Sequence, residues 1–188
     1  PQEFVKRAVE MAETMLPPTV SKLWRSRDMG LAALKLGTRR ISRAPVLDVR
    51  QPKVDLEAIP FLQLWDEDGG FFNTLPLVYT ESPTTGKHNL GIYRMQRYDK
   101  VRTGMHWQIG KGGGFHYFEA EQRNESLPVS VFMGGPPALI LAAVAPLPEG
   151  APELMLASLL MGEKLGLVEN EKEKHRLIAE SEFALVGH

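Results

Sequence analysis

The sequence predicts a mixed α+β fold, and three observations carry that expectation. A helical pattern opens the chain, segments rich in aromatic and β-branched residues occupy its middle, and a further strand leads into two apolar helices. Strict strand–helix–strand alternation is missing, which argues against a doubly wound parallel sheet.

Residues 2–16 place Val5, Ala8, Ala12 and Met15 at helical spacing, and Pro17-Pro18 stops the pattern. Residues 19–44 read as one or two shorter helices broken near Gly30 and Gly37, and Ala44-Pro45 then begins short apolar segments that run to Trp65. Asp66-Glu-Asp-Gly-Gly70 is a turn cluster close to an organisational boundary. Beyond it, 71–80 and 90–98 flank Ser82-Pro-Thr-Thr-Gly86 and predict an antiparallel hairpin with a long loop. A strand is expected over 128–133, ended by Gly134-Gly-Pro-Pro137, with helices over 138–145 and 152–161. The chain starts at Pro1 and stops within an apolar segment, Phe183 to His188, that reads as a strand, so a piece of a longer protein is expected.

Composition narrows the function. With 43% hydrophobic and 24% charged residues among 188, the chain falls in the ordinary globular class. The absence of cysteine excludes disulfides, thiolate zinc sites, iron–sulfur clusters and cysteine nucleophiles. No apolar run approaches the roughly 18 residues that a membrane span needs, and no signal peptide is recognised; the cytoplasm is the expected location. Net charge is −1, but positive charge concentrates in the first 50 residues. The basic stretch 22–43 reads first as a solvated helix face, and with Trp24 as its lone aromatic it lacks the stacking residues of a nucleic-acid surface.

Three local features could carry chemistry. Gly110-Lys-Gly-Gly-Gly114 is either a phosphate cradle or a mobile surface turn, and His106-Trp-Gln108 stands just upstream. Arg94 in an apolar strand either grips a carboxylate or pairs with a nearby acid such as Glu81. Glu153 opens a helix, where the helix dipole alone would favour it. His88, His116 and His175 show no metal-ligand spacing, and no serine or threonine sits in a hydrolase elbow.

Several longer motifs, in order, resemble the UbiD-type decarboxylases that use prenylated FMN. They run from Trp65-Asp-Glu-Asp-Gly-Gly70 through Asn73-Thr-Leu-Pro-Leu-Val-Tyr-Thr80, Gly86-Lys-His-Asn-Leu-Gly-Ile-Tyr-Arg-Met-Gln96 and Gly104-Met-His-Trp-Gln108. Leu127-Pro-Val, Gly134-Gly-Pro-Pro-Ala138 and Pro146-Leu-Pro-Glu-Gly-Ala-Pro-Glu153 complete the set. The resemblance implies that Asn89 and Glu153 ligate a divalent cation, Mn²⁺ or Mg²⁺, that also holds the flavin phosphate, with K⁺ as a further ion. It implies that Ile92, Tyr93 and Arg94 lie along the cofactor, that Arg94 also holds the substrate carboxylate, and that His106, Trp107, Gln108, Lys111 and Gly112 make the next cofactor contacts. Gly110 stands where some members carry a metal-binding histidine, and the family's proton-donating carboxyl group lies downstream of the matched region.

The fold implied is a split β-barrel flavin-binding domain over 66–188 with flanking helices, truncated on its C-terminal side and preceded over 1–65 by the mainly helical tail of an α/β domain and a linker. The activity implied is reversible, non-oxidative decarboxylation of an aromatic or α,β-unsaturated carboxylic acid, quinone biosynthesis being the commonest setting. A flavin-binding or assembly module lacking catalysis is the alternative reading, and plain FMN reductase chemistry is a third. The small-molecule acid as substrate, a flavin prenyltransferase as cofactor supplier, homo-oligomers, no nucleic acid, and room for peripheral membrane association complete the expectation. The 188 residues alone should turn over poorly or not at all.

Overall fold

The structure is a computed structural model that describes residues 36–147, 151–170 and 175–188. The helix expected over 2–16 and most of the segment 19–44 lie outside the described residues. Within the described part, ten strands and three α-helices form a mixed α+β fold, as expected.

Thr38–Ile41 is a strand, β1, where the sequence suggested helix. The reason is non-local. β1 pairs in parallel with the apolar strand β8 (Leu165–Val168), and β8 pairs antiparallel with β9 (Leu177–Ile178). Propensity over four residues cannot outweigh a ladder whose partner lies more than a hundred residues away. Gly37, at φ +94°, turns the chain into β1, and its N–H donates to Ser158 Oγ at 2.7 Å.

The expected hairpin is confined to β3 (Leu77–Glu81) and β4 (His88–Ile92), with Tyr79 opposite Leu90 and Thr80 opposite Asn89. The outer parts of the expected strands 71–80 and 90–98 leave it, Phe72–Asn73 and Met95–Arg97 pairing with each other instead. Ser82 Oγ accepts from the N–H groups of Thr84 and Thr85 and shapes the loop between them. β7 (Val129–Met133) pairs with the other side of β3, and β10 (Phe183–Gly187) pairs with β7, giving an antiparallel sheet in the order β10-β7-β3-β4. A second antiparallel sheet combines β2 (Phe72–Asn73), β5 (Met95–Arg97) and β6 (Thr103–Met105).

Residue alternation along the four-stranded sheet sends side chains to two cores. Leu77, Leu90 and Phe132 face the larger one, shared with β8, β9 and the helices α2 (Pro137–Val144) and α3 (Glu153–Met161). Val78, Val131 and Tyr93 face the smaller one with Phe61 and Met95. Pro137 at the start of α2 lacks only an N–H that the helix would leave unpaired, and Gly162 at φ +76° closes α3.

Of the two readings of the glycine run, the surface turn covers only its first residues. Only Gly110 and Lys111 lie in a turn; Gly112–Gln122 is a helix, α1. Three consecutive glycines are poor helix formers, yet a Cβ on any of them would collide: with Asn89 Oδ1 at Gly112, with the Tyr93 and Trp107 rings at Gly113, and with the Gln108 carbonyl at Gly114. Close approach, not turn formation, requires them. His175, in what read as a charged run, is buried edge-on to Tyr79 at 5.1 Å. No helix of the described residues is long and apolar enough to cross a membrane.

Candidate cofactor site

β4 is an edge strand, and an edge strand leaves backbone groups that need partners. The carboxylate of Glu153, in the first turn of α3, faces the Leu90 N–H of that edge and its own backbone N–H. Burial pushes its pKa up, and these two N–H groups pull it back only in part. Its Oε2 is buried without a hydrogen-bond partner.

Next to Leu90, Asn89 lies against the N-terminus of α1: a Cβ on Gly112 would overlap Asn89 Oδ1. Asn89 Nδ2 donates to the Tyr93 hydroxyl at 3.4 Å, and that hydroxyl also accepts the Gly113 N–H at 2.8 Å. Tyr93 is 2% exposed and meets Trp107 edge to face at 5.1 Å, while Trp107 stacks on Tyr117 at 5.9 Å. Burial raises the Tyr93 pKa, the Gly113 N–H and Asn89 opposing. The phenol stays neutral and serves as a fixed acceptor.

The structure thus brings Asn89, Tyr93, Trp107, Gly112 and Glu153 together. Tyr93 braces the site from inside rather than lining an open surface, and Ile92 packs against the larger core. His106, Gln108 and Lys111 are exposed; the His106 N–H donates to the Arg94 carbonyl, and the Gln108 carbonyl accepts the Lys111 N–H.

Arg94 stands apart from this group, just past the end of β4. Its guanidinium pairs with Asp68 at 3.0 Å, not with Glu81, and lies 3.7 Å from the centre of the Phe72 ring. Glu81 instead accepts the Tyr79 hydroxyl. Asp68 and Phe72 were not singled out by the sequence, although Asp68 belongs to the turn cluster that carries part of the resemblance.

Among the described residues, no three His, Asp or Glu side chains converge on a metal position. The Asn89 amide oxygen and the orphaned Glu153 oxygen are nevertheless hard donors of the type a divalent cation takes. The Cβ position of Gly112 is taken by the Asn89 amide oxygen, which sets that donor against the N-terminus of α1. By donor chemistry the two residues fit a divalent cation, to which this part of the chain would supply two oxygen ligands.

Residues 39–188 match the UbiD family profile, described as the 3-octaprenyl-4-hydroxybenzoate carboxy-lyase Rift-related domain. Fold and site therefore define a carboxy-lyase-related α+β domain. The chain belongs to the UbiD family. It is 50% identical over 175 residues to an uncharacterized protein of Chlamydia trachomatis, covering 91% of this chain and 30% of that one. A Chlamydia pneumoniae protein whose name makes it a subunit of 4-hydroxybenzoate decarboxylase is 46% identical over 189 residues, covering 100% of this chain and 32% of the relative. An evolved dimeric form of the UbiD-class enzyme HmfF of Pelotomaculum thermopropionicum, solved with prFMN, superposes with a TM-score of 0.76 at 26% identity, over 83% of this chain and 38% of that one. The chain spans about a third of the length of these curated relatives.

Proposed function

We propose that the chain forms the prenylated-FMN-binding part of a reversible, non-oxidative decarboxylase of aromatic or α,β-unsaturated acids, with acids like 4-hydroxybenzoate foremost. The observation that carries this reading is the buried, unpartnered Oε2 of Glu153 at the β4 edge beside Asn89. The Leu90 N–H and its own N–H leave this oxygen of the carboxylate dry and unpaired, a cost that a bound cation would remove. The prFMN bound to HmfF and the name of the Chlamydia pneumoniae relative supply the cofactor and substrate class.

In this reading Asn89 Oδ1 and Glu153 hold Mn²⁺ or Mg²⁺ against the cofactor phosphate, with K⁺ as a further ion. Tyr93 aims the Asn89 amide by taking its N–H, and the Lys111 ammonium adds positive charge at the same helix end. His106, Trp107, Gln108 and Gly112 border the isoalloxazine and phosphate. Prenylated FMN, when bound, supplies the electron sink for loss of CO₂. Arg94 holds the departing carboxylate, a task suited to its planar fork of donors.

Residues 66–188 are assigned to the cofactor domain as a split barrel and 1–65 to the preceding domain and linker, the β1–β8 ladder tying the two. Quinone biosynthesis in the cytoplasm, assembly into homo-oligomers and cofactor supply by a flavin prenyltransferase complete the proposal.

The test is flavin and metal content of the purified complete protein and its Glu153→Gln variant. Loss of the charged ligand should weaken cation binding by about 3 kcal/mol, more than a hundredfold, and flavin should be lost with it. Unchanged flavin and metal stoichiometry in the variant would refute the assignment.

A further inference from the structure

The Arg94 side chain is 45% exposed, yet it is held on two sides. Its Nη2 donates to Asp68 Oδ1 at 3.0 Å and its flat face lies on the Phe72 ring. Asp68 is itself anchored: its side chain is 14% exposed, its Oδ2 accepts the Trp65 N–H at 3.2 Å, and its backbone carbonyl accepts Gln63 Nε2 at 3.4 Å. One residue on, Gln96 Nε2 of β5 donates to the Gly69 carbonyl at 2.7 Å. The turn 65–70 is therefore tied to the strand region that carries Arg94 through two side chains, Arg94 and Gln96.

We propose that Asp68 is the positioning residue for Arg94, fixing the guanidinium so that its remaining donors meet a carboxylate already oriented. This rests on the reading that Arg94 holds the substrate carboxylate. An arginine free in solvent would lose most of its rotamer freedom on gripping an anion; here Asp68 and Phe72 have removed that freedom beforehand. Asp68 also brings negative charge near the incoming carboxylate. That repulsion is the smaller effect, because Arg94 is in contact with water, where ion-pair energies are screened, and only one of its five N–H donors is engaged with Asp68. Orientation therefore outweighs competition, and losing Asp68 weakens carboxylate binding.

The experiment uses the complete holoprotein with two probes: benzoate, which carries a carboxylate, and phenol, which does not. Inhibition constants, flavin content and metal content are measured for wild type, Asp68→Ala, Asp68→Asn and Arg94→Lys. Asp68→Ala should raise the benzoate constant about tenfold and leave phenol, flavin and metal unchanged. Asp68→Asn retains an acceptor oxygen and should show a smaller rise in the same direction; it replaces the alanine variant if that one fails to fold. Benzoate and phenol weakening together would mean that Asp68 only supports the fold, and the proposal fails. If Arg94→Lys weakens benzoate while neither Asp68 variant does, the Asp68 proposal falls and the Arg94 reading stands. If Arg94→Lys has no effect, or wild type does not bind benzoate, the underlying reading falls and this inference with it.

Discussion

Replacing Gly113 by alanine tests whether the glycine run serves close packing at the site. The added Cβ would sit 2.9 Å from Trp107 Cζ3 and 2.9 Å from both Cζ and the hydroxyl oxygen of Tyr93. Carbon atoms prefer about 3.5–4.0 Å, so both rings must retreat or α1 must lift. Neither motion is free, because Tyr93 is 2% exposed and its hydroxyl holds the Gly113 N–H at 2.8 Å. Overpacking of this kind costs about 1–3 kcal/mol. Alanine recovers at most about 0.5–1 kcal/mol of helix propensity, and less in a first turn. The net loss is therefore about 1–2 kcal/mol, a drop of several degrees in the unfolding midpoint. The same shift displaces Tyr93 from the Asn89 amide, so flavin retention should fall with stability. Gly110→Ala is the matched comparison. Gly110 has φ +86° and no atom within 4 Å of an added Cβ, so that variant bears only backbone strain of about 1–2 kcal/mol and should keep its flavin. Calorimetry and flavin absorbance per chain on the complete protein read both effects. A Gly113→Ala protein with wild-type midpoint and wild-type flavin content would refute the reasoning.

Other perturbations separate stability from function. Phe132→Ala empties a fully buried position on the central strand β7 that faces the larger core, and denaturant unfolding should show a loss of about 3–5 kcal/mol. Tyr93→Phe leaves the ring but orphans the buried Gly113 N–H, costing about 1–3 kcal/mol, and frees the Asn89 amide to turn; metal titration should show weaker binding. Burial lowers the pKa of His88 and His116 below their ordinary value. The unfolded chain then binds protons first as pH falls, so stability is full above about pH 6.5 and declines below it. His116→Gln should flatten that decline in unfolding measured from pH 7 down to 5, and an unchanged slope would exclude His116 as a source.

Local pattern by itself determined the hairpin around residues 82–86, the strand before Gly134, the two apolar helices after it and the final strand. In each, hydrophobic periodicity and its Pro or Gly boundaries agree with the tertiary environment. The motif order also identified the family, and with it Asn89, Glu153 and Arg94 as candidate site residues. Only the tertiary structure decided the rest, because the causes lie far away in sequence. Thr38–Ile41 became a strand through pairing with Leu165–Val168. Gly112 to Gly114 became a helix start because Asn89, Tyr93, Trp107 and the Gln108 carbonyl leave no room for a Cβ. The partner of Arg94 proved to be Asp68, 26 residues upstream, rather than the hairpin acid Glu81. A sequence records which charges and which glycines exist; which atoms they meet is set by the folding of distant segments onto one another.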